Sequence, residues 1–600
     1  MAIRIPSFPR PAMGPVLPRI ALPVALILPL LVVVLVRTAT LHVKQGPAVD
    51  LRVDRMVRRV SQVAADRGEI LDREGRVLAA TQVTYGIAFD GKGSELWTSV
   101  ERKTKVADPI AWFLGQAART LELEASAERR MISGLAQALV GERRYFVLTP
   151  AVAAEKANAF RALLEANGWQ GWFRFEPIER RVYPLGEVGS TVLGYLNDEP
   201  VAACGLELYF DALLRGEAGR HVYRQYPLID DFVAAQGRSV DPRGGKSLQL
   251  TLDATISYLA QEELAAACQK CDAKWGTAIV MDPHSGELLA LESWPSFDPQ
   301  RFREQSSDPR QPFCIRAVQS HIVPGSIFKP FILAGVLDHG LSNLDEVVDC
   351  GAKEGKLFGR FRVHDHKALG ILTVAQVLQK SSNIGMATIG SRLGRERMYE
   401  TLDRFELRQR TGLELGGELG AKHPEWNERY SPFSLSFGHE IQVTPLRVAA
   451  SFAAFANGGL VVTPRLVSRI VDADGQVVPR PAPAPRRAIK PELAETVRAL
   501  LESVVEEGTG KDLKKLLSCT TLAGKSGTTQ HEVRKNEYIA SFVGFAPAKE
   551  PDLLCMVVVY GPKGYPHSGS YISGPPTARI LDRSIRHLTD RSRATGAARF

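Results

Sequence analysis

The chain has 600 residues, more than one hydrophobic core usually serves, so two or more domains are expected. Hydrophobic residues make up 45% and charged residues 24%, the balance of an ordinary globular protein, which excludes a largely disordered chain. The formal net charge of +9 could favour anionic partners, but a dispersed basic surface is the simpler interpretation, and no nucleic-acid-binding module is recognisable.

An uncharged apolar run occupies residues 20–36, between Arg19 and Arg37. Its 17 residues are at the short end for a membrane span, which needs about 17–25. The alternative is a cleaved signal peptide, but the apolar part of such a peptide usually has about 7–15 residues, and no clear cleavage site follows. We predict a retained transmembrane anchor over residues 20–40, after a disordered, Pro- and Arg-rich tail at 1–19.

Basic residues flank this run on both sides, with Arg10 before it and Lys44 after it as examples. Charge alone therefore does not fix its orientation, and long domains translocate largely regardless of such charges. We predict a single-pass protein of the cytoplasmic (inner) membrane, with its N-terminus inside and the remainder of the chain outside.

A mixed region extends to about residue 245, where Gly244-Gly245 precedes an alternating, strand-like sequence at 248–253. We place a domain boundary there, with one domain over 41–245, a second over 246–590 and a tail at 591–600. Strands at both ends of the second domain, with helices between them, predict one sheet flanked by a helical lobe. Its expected elements are a helix at 255–267, a hairpin of 276–281 with 287–291, helices from 326 to about 457 and at 491–507, strands at 538–545 and 553–560, and a helix at 576–588.

Ser326-Ile327-Phe328-Lys329 is the only Ser-x-x-Lys sequence in the chain, and it follows the turn signal Pro324-Gly325. Positions three apart share one face of a helix, so the Lys329 amine is expected within reach of the Ser326 hydroxyl. A serine hydroxyl is a weak nucleophile until a neighbouring base takes its proton. Roughly one such sequence is expected by chance in a chain of this length, so the motif needs support from elsewhere.

Two further motifs supply that support: Ser381-Ser382-Asn383 is the only Ser-x-Asn, and Lys525-Ser526-Gly527 the only Lys-Ser/Thr-Gly. They follow Ser326 in the order used by penicillin-binding proteins and serine β-lactamases. The first lies in a helical pattern predicted over 373–393, and the second precedes the strand at 538–545. Each triplet alone could be ordinary surface sequence, but all three in this order indicate an active-site serine.

Cysteine and histidine clusters are weaker signals. The seven cysteines cannot all pair within the chain, because their number is odd. Cys268 and Cys271 have a redox or zinc-like spacing, but no second pair follows, so a solvent-facing helix is the simpler interpretation. His364-Asp365-His366 could imitate a metal cluster, yet in a short polar loop it is more readily ordinary sequence. We predict no metal and no cofactor.

Several longer stretches of the sequence match one family: residues 67–79, 181–184, 193–195, 205–207, 214–216 and 294–299. Together they resemble the class B penicillin-binding proteins, the peptidoglycan D,D-transpeptidases, over roughly residues 60–590. The resemblance implies a mixed α/β (α+β) protein with the penicillin-binding transpeptidase fold, an antiparallel sheet flanked by helices with a helical lobe, on an elongated N-terminal pedestal (41–245) with one transmembrane helix. Segments most similar to the division-type branch lie at 316–319 and 372–378.

The resemblance implies four catalytic residues. Ser326 would attack the carbonyl between the two terminal D-alanines of a stem peptide, and Lys329 would accept its proton. Ser381 would relay a proton to the leaving amine, and Asn383 would hold Lys329 or a substrate amide. An amine from a neighbouring stem peptide would then resolve the acyl-serine and form a cross-link.

The resemblance also implies a substrate-binding strand containing Lys525, Ser526, Gly527 and Thr528. Lys525 would supply positive charge, Gly527 would let the backbone approach closely, and the Thr528 hydroxyl would bind the substrate carboxylate. The backbone N–H groups of Ser326 and Thr528 would stabilise the oxyanion, at about 2.7–4 kcal/mol per donor.

The implied role is septal cell-wall synthesis during cell division, although a role in spore formation also fits. The implied partners are peptidoglycan stem peptides, β-lactams, the membrane, and glycan-polymerase and divisome membrane proteins. Three alternatives stay open: a β-lactamase, a D,D-carboxypeptidase, and a catalytically weak scaffold or β-lactam sensor. The chain also departs from the family pattern at Val323, Ile327, 405–407 and 438–440.

Overall fold

The structure is a computed structural model. It describes residues 25–44, 58–63, 65–91, 93–104, 106–123, 125–140, 145–197, 199–225, 232–234, 239–308, 310, 312–351, 354–423, 425–530, 537–564 and 566–595. Contacts divide the chain into two compact units. One comprises Met1–Ala65 with Glu217–Arg243, and the other Asp66–Gly216 with Gly244–Phe600.

The first unit contains the apolar helix Ala25–Lys44 and a three-stranded antiparallel sheet of Arg58–Val63, Gly219–Gln225 and Phe232–Ala234. The helix has 20 residues and a mean hydropathy of 2.2, so its length and composition suffice to cross a membrane. All of its residues are exposed, as expected for a helix that faces lipid. It corresponds to the predicted anchor, while the tail at 1–19 and residues 20–24 lie outside the described residues.

The second unit contains a seven-stranded sheet with strands from both sides of residue 245. Ser247–Leu250 pairs in parallel with Ile70–Leu71 and antiparallel with Val467–Val471. The sheet order is Val477–Pro479, Val467–Val471, Ser247–Leu250, Ile70–Leu71, Val77–Asp90 and Tyr145–Ala153, with Phe173–Val182 also paired to Val77–Asp90. Helices packed near its N-terminal strands are Gly93–Thr104, Pro109–Leu121, Ala125–Val140 and Ala154–Asn167, and shorter ones follow at Ser190–Leu193, Gly205–Tyr209 and Asp211–Leu214.

Glu207 joins three stretches of this unit through buried charges. Its carboxylate lies 2.6 Å from Arg67 Nη2 and 2.7 Å from Arg181 Nε, and the glutamate is fully buried. The two guanidinium groups are also nearly buried; Arg67 has a second partner, Asp211 Oδ1 at 2.7 Å, whereas Arg181 pairs with Glu207. Removing one partner of a buried ion pair leaves an uncompensated charge.

We therefore expect Glu207→Ala to destabilise this region by about 3–5 kcal/mol, because Arg181 would remain buried without the Glu207 carboxylate and Arg67 would keep only its pair with Asp211. The measurement is the thermal midpoint of the detergent-solubilised full chain, together with proteolytic susceptibility. Glu176→Ala, at an exposed position on the strand Phe173–Val182, is the matched control. Equal thermal midpoints for the Glu207→Ala and Glu176→Ala proteins would contradict the stabilising role of the buried Glu207 carboxylate.

A second sheet, the central sheet, has five antiparallel strands. Alternate side chains along its strands enter different cores, as the pleat requires: Ala278 and Val280 face one cluster, Ile279 and Met281 the other. The strand order is Leu288–Trp294, Trp275–Met281, Leu553–Tyr560, Tyr538–Ala546 and Ala523–Gln530.

Helices cover both faces of the central sheet. Ala254–Lys270 and Gly574–Thr595 share one core with it, and Asp253 caps the first by accepting from Thr255 N at 2.9 Å. Cys268 is fully buried in that core, so the solvent-facing helix predicted around Cys268 and Cys271 is wrong there. The helix Gly574–Thr595 includes residues 591–595, so the prediction that these residues belong to a tail is wrong. Residues 596–600 of the predicted tail lie outside the described residues.

The opposite face supports the helical lobe. Its helices are Lys329–Asp338, Val374–Gln379, Asn383–Gly390, Gly394–Arg404, Ser431–Ser434, Pro445–Phe452 and Pro491–Glu506. Paired short strands are Val347–Asp349 with Ile371–Thr373, Lys356–Phe358 with Phe361–Val363, and Leu460–Val461 with Arg486–Arg487. Short helices lie at Phe302–Gln305, Arg316–Gln319 and Gly569–Ile572, and 3-10 helices at Gln170–Trp172, Pro299–Arg301, Gly325–Phe328, Ser391–Leu393, Leu435–Phe437, Ala453–Phe455 and Lys511–Leu516. The predicted mixed α+β architecture, one antiparallel sheet with a helical lobe, is confirmed.

Candidate active site

Ser326 lies on a tight turn that leads into the helix Lys329–Asp338. The turn is the 3-10 helix Gly325–Phe328, and buried Ile327 and Phe328 anchor it while Ser326 stays partly exposed. Gly325 has a φ of +56° and donates its N–H to Gly438 O at 3.0 Å. A Cβ there would lie 2.4 Å from the Thr529 side chain, so the position requires glycine both for its backbone and for its space.

Lys329 is fully buried and faces several oxygen atoms. Its Nζ donates to Ser381 O at 2.6 Å and to Asn383 Oδ1 at 2.8 Å, and it lies 3.3 Å from Ser381 Oγ. Burial lowers the pKa of Lys329 well below its usual range, and the positive charge of Lys525 lowers it further, whereas Asp365 and Cys350 oppose the shift. A neutral amine has two N–H donors and one lone pair, so donation to Ser381 O and Asn383 Oδ1 leaves the lone pair for a hydroxyl proton.

Ser381, Ser382 and Asn383 lie at a break between two helices, so the continuous helix predicted over 373–393 is wrong. Ser381 has a left-handed φ of +61°, which ends the helix Val374–Gln379. Ser382 then caps Asn383–Gly390 by accepting from Gly385 N at 2.9 Å. The break directs both the Ser381 carbonyl and the Asn383 amide toward Lys329.

The strand Ala523–Gln530 forms the edge of the central sheet next to the Ser326 turn. At Gly527 a Cβ would lie 2.7 Å from Pro324 O and 2.5 Å from Ser541 Oγ, so a larger residue would push strand and turn apart. Thr529 Oγ1 also donates to Val323 O at 3.0 Å, which fixes the strand to the residues before the turn. Partly exposed Ser526 lies between Gly527 and Lys525.

Lys525 and Thr528 complete this strand. Lys525 is fully buried, and burial lowers its pKa to about 7, so its ammonium group is only partly protonated near neutral pH. Its Nζ donates to Ser526 O at 3.1 Å. Thr528 Oγ1 accepts from Gly569 N at 2.9 Å, which leaves its own proton free to be donated elsewhere.

Residues from each of the three motifs lie near the start of the helix Lys329–Asp338. Lys329 contacts Ser381 and Asn383 directly, the field of Lys525 reaches Lys329, and Gly527 packs against the turn that presents Ser326. The arrangement brings together a buried amine with a lowered pKa, the Ser381 hydroxyl and the edge strand. The oxyanion role of the Ser326 and Thr528 N–H groups stays a prediction.

Asp365 and His364 take part in the site in a way that the sequence did not reveal. Asp365 Oδ2 accepts from Ser382 Oγ at 2.6 Å, and its Oδ1 accepts from the backbone N–H groups of Asn383 and Ile384. His364 O accepts from Asn383 Nδ2 at 3.0 Å. An acidic residue suits a helix N-terminus, but a residue so far away along the chain gives no spacing signal.

Two residues at which the sequence departs from the family pattern, Glu406 and Glu440, make polar contacts with neighbouring side chains. Glu406 has a φ of +55°, and its carboxylate lies 3.1 Å from buried Arg447 Nη1. Glu440 has a φ of +63° and accepts from Ser431 Oγ at 2.7 Å and from Ser434 Oγ. Each carboxylate gains polar contacts that stabilise a backbone conformation usually left to glycine. Among the described residues no group of three or more His, Cys, Asp or Glu side chains is arranged for a metal ion.

Comparison with known families gives two matches. Residues 276–582 match the penicillin-binding protein transpeptidase domain, and residues 62–250 match the penicillin-binding protein dimerisation domain. The two matches together span most of the chain.

Similar proteins cover nearly the same extent. A probable peptidoglycan D,D-transpeptidase PenA of Neisseria meningitidis is 30% identical over 545 residues, 89% of this chain and 87% of that protein. The stage V sporulation protein D of Bacillus subtilis is 30% identical, covering 87% of this chain and 78% of that protein. The peptidoglycan D,D-transpeptidase FtsI of Escherichia coli K12 is 27% identical, with coverages of 88% and 85%.

Solved structures show the same fold. Penicillin-binding protein 2X of Streptococcus thermophilus superposes with a TM-score of 0.72 at 20% identity, covering 88% of this chain and 80% of that one. Penicillin-binding protein 3 of Mycobacterium tuberculosis, complexed with aztreonam, superposes with a TM-score of 0.64 at 24% identity, with coverages of 88% and 97%.

Proposed function

This chain belongs to the class B penicillin-binding proteins, which join a dimerisation domain to a transpeptidase domain, and we propose that it is a membrane-anchored peptidoglycan D,D-transpeptidase. Its substrates are stem peptides that end in two D-alanines, and its product is a peptide cross-link. The observation that carries the proposal is the buried Lys329 amine, held by Ser381 and Asn383 one turn from Ser326.

In the acylation step, Ser326 Oγ attacks the carbonyl carbon of the penultimate D-alanine while Lys329 Nζ takes the hydroxyl proton. Backbone N–H groups of Ser326 and Thr528 stabilise the tetrahedral oxyanion. The C–N bond then breaks, the leaving D-alanine receives a proton through Ser381, and an ester joins the donor peptide to Ser326. The 3.3 Å separation of Lys329 Nζ and Ser381 Oγ supports this proton path.

In the second step, an amine of a neighbouring stem peptide attacks the ester carbonyl. Its proton passes to the site base, the new C–N amide bond forms, and the ester C–O bond to Ser326 breaks, so that Ser326 Oγ regains its hydroxyl proton from the base. The donor carboxylate lies near Lys525 and Thr528 until D-alanine leaves. A bound carboxylate favours the protonated form of Lys525, and the free Thr528 hydroxyl proton gives it a second donor.

The biological setting is part of the same proposal. The helix Ala25–Lys44 anchors the protein in the cytoplasmic membrane with its N-terminus inside. The segments at 316–319 and 372–378 favour septal synthesis during cell division, in company with a glycan polymerase and other divisome membrane proteins. Depletion in the native host is expected to give filaments without septa, whereas normal division with failed spores would favour a sporulation role.

To test the activity, the full-length protein in detergent is incubated with glycan strands that carry pentapeptides and an acceptor amine. Mass spectrometry of the digested product is expected to show cross-linked dimers together with released D-alanine. Release of D-alanine without dimers would favour a D,D-carboxypeptidase. Rapid turnover of a penicillin would favour a β-lactamase, and absence of D-alanine release and of any acyl-enzyme would favour a scaffold.

A further inference from the structure

We propose that Asp365 is a positioning residue of this active site, whose carboxylate fixes the turn at Ser381, Ser382 and Asn383 against Lys329. The inference rests on the proposed function, because it assigns Asp365 an effect on the acylation of Ser326. It deepens that function by adding a loop residue to the three motifs.

Asp365 contacts the turn at several points. Its Oδ2 accepts from Ser382 Oγ at 2.6 Å, and its Oδ1 accepts from Asn383 N and, at 3.3 Å, from Ile384 N. One carboxylate therefore holds a side chain and two backbone groups of the turn. Such contacts set the position of the Asn383 backbone relative to the loop.

The neighbouring residue His364 fixes the side chain of Asn383. Its carbonyl accepts from Asn383 Nδ2 at 3.0 Å, so the amide oxygen Oδ1 faces Lys329 Nζ at 2.8 Å. A rotated amide would bring its N–H groups toward the lysine instead. Residues 364 and 365 thus orient the backbone and the amide of Asn383 together.

Capping of the helix does not by itself account for Asp365. Ser382 is the N-cap of the helix Asn383–Gly390 and accepts from Gly385 N at 2.9 Å, while Asp365 accepts from the first two N–H groups of the helix, those of Asn383 and Ile384. Asp365 also accepts from the Ser382 hydroxyl, and through these contacts it connects the turn to a separate loop. These additional hydrogen bonds fix the position of the turn at residues 381–383 relative to the loop. A residue that positions the base Lys329 must constrain the turn in this way.

Asp365 also acts on Lys329 through its charge. The charged or titratable groups that face Lys329 are Lys525 from the edge strand, Cys350 after the strand Val347–Asp349, and Asp365 from the loop. Lys525 lowers the pKa of Lys329, whereas Asp365 raises it. Removing the Asp365 charge should therefore lower the pKa of Lys329 further, so the amine would stay neutral to a lower pH.

Two variants separate position from charge. Asp365→Asn keeps an acceptor oxygen for the backbone N–H groups and can donate to Ser382 Oγ, so it removes mainly the charge. Asp365→Ala removes every contact. Asp345→Asn, at an exposed acid of the same lobe, is the matched control.

The experiment measures the rate of acylation by a fluorescent penicillin against pH, with the thermal midpoint as a folding check, on the full-length protein in detergent. At low pH the acylation rate should rise with pH as Lys329 loses its proton, and this part of the rate–pH profile is its acid limb. Asp365→Asn is expected to shift the acid limb to lower pH, a change that a purely structural role would not produce. Asp365→Ala is expected to reduce the rate roughly 10–100-fold, the scale of a small misplacement of reacting groups. Asp345→Asn should match the wild type in both.

A folded Asp365→Ala protein that acylates at the wild-type rate would overturn the positioning role, and a folded Asp365→Asn protein with the wild-type acid limb would overturn the effect of the charge on Lys329. Either result would leave the proposed function intact, since the wild type would still acylate. If the alanine variant does not fold, the acylation rate of Asp365→Asn at a pH above the acid limb decides the positioning role: it should fall, because a carboxamide makes weaker hydrogen bonds to the turn than a carboxylate, and a wild-type rate would overturn the role. A wild-type protein that forms no acyl-enzyme would overturn both. The two failures are therefore distinguishable in one set of measurements.

Discussion

Replacing Ser326 with alanine is expected to abolish covalent labelling of the full-length protein by a fluorescent penicillin. The acyl-enzyme ester requires the Ser326 oxygen. Ser381 Oγ does not replace it, because Ser381 lies beside the Lys329 amine and not on the Gly325–Phe328 turn that presents Ser326. The fold should survive, since Ile327 and Phe328 anchor the turn and Ser326 is partly exposed. In the wild type, mass spectrometry of the digested adduct should locate the mass increase at Ser326.

The control for this variant is Ser307→Ala, at an exposed serine outside the site, which should label like the wild type. The thermal midpoints of the two variants should also agree. Stoichiometric labelling of the Ser326→Ala protein would refute the assignment of the nucleophile. It would also favour a non-specific reaction of the penicillin over an active-site ester.

Replacing Lys329 with methionine is the second change with a large expected effect. Methionine fills most of the same buried volume but has no lone pair that could accept the Ser326 proton. General-base catalysis is typically worth about 10²–10⁴-fold, so the acylation rate should fall by that factor. The rate of acyl-enzyme formation, measured by stopped-flow fluorescence, is the direct test.

The pH profile gives this prediction a second readout. Because burial and Lys525 lower the pKa of Lys329, the amine is neutral above that lowered pKa and protonated below it. Wild-type acylation should therefore rise as the pH rises through the lowered pKa, and the methionine variant should lack this limb. Lys367→Met, at an exposed lysine, should keep both rate and profile. An unchanged rate in the Lys329 variant would exclude this lysine as the base.

The spacing of residues within short sequence motifs predicted the parts of the site that depend on a few adjacent residues. The Ser326 and Lys329 pair lies at a helix start, and Gly527 lies on a strand, both features readable from nearby turn and strand signals. The family resemblance and the mixed α+β fold are confirmed by the matched domains and the similar structures. The catalytic roles of these residues stay predictions.

Contacts between distant residues were out of reach of the sequence. The helical pattern over 373–393 gave no sign that Ser381 would adopt a left-handed φ, because the apolar spacing continues across the break. The interaction of Asp365 with Ser382 depends on a loop that returns to the helix. The position of Ala523–Gln530 at the sheet edge likewise depends on the pairing of strands far apart in the chain.

The strand Ser247–Leu250 has a practical consequence for anyone who wishes to prepare this protein without its apolar helix Ala25–Lys44. Leu248 N donates to Glu69 O at 2.8 Å, and Gln249 Nε2 to Arg73 O at 2.9 Å, so residues on both sides of position 245 complete each other's hydrogen bonds. A recombinant fragment that begins at 246 would expose an unpaired strand edge, a template for aggregation. Soluble material should instead start ahead of Asp66, so that both stretches are expressed as one piece.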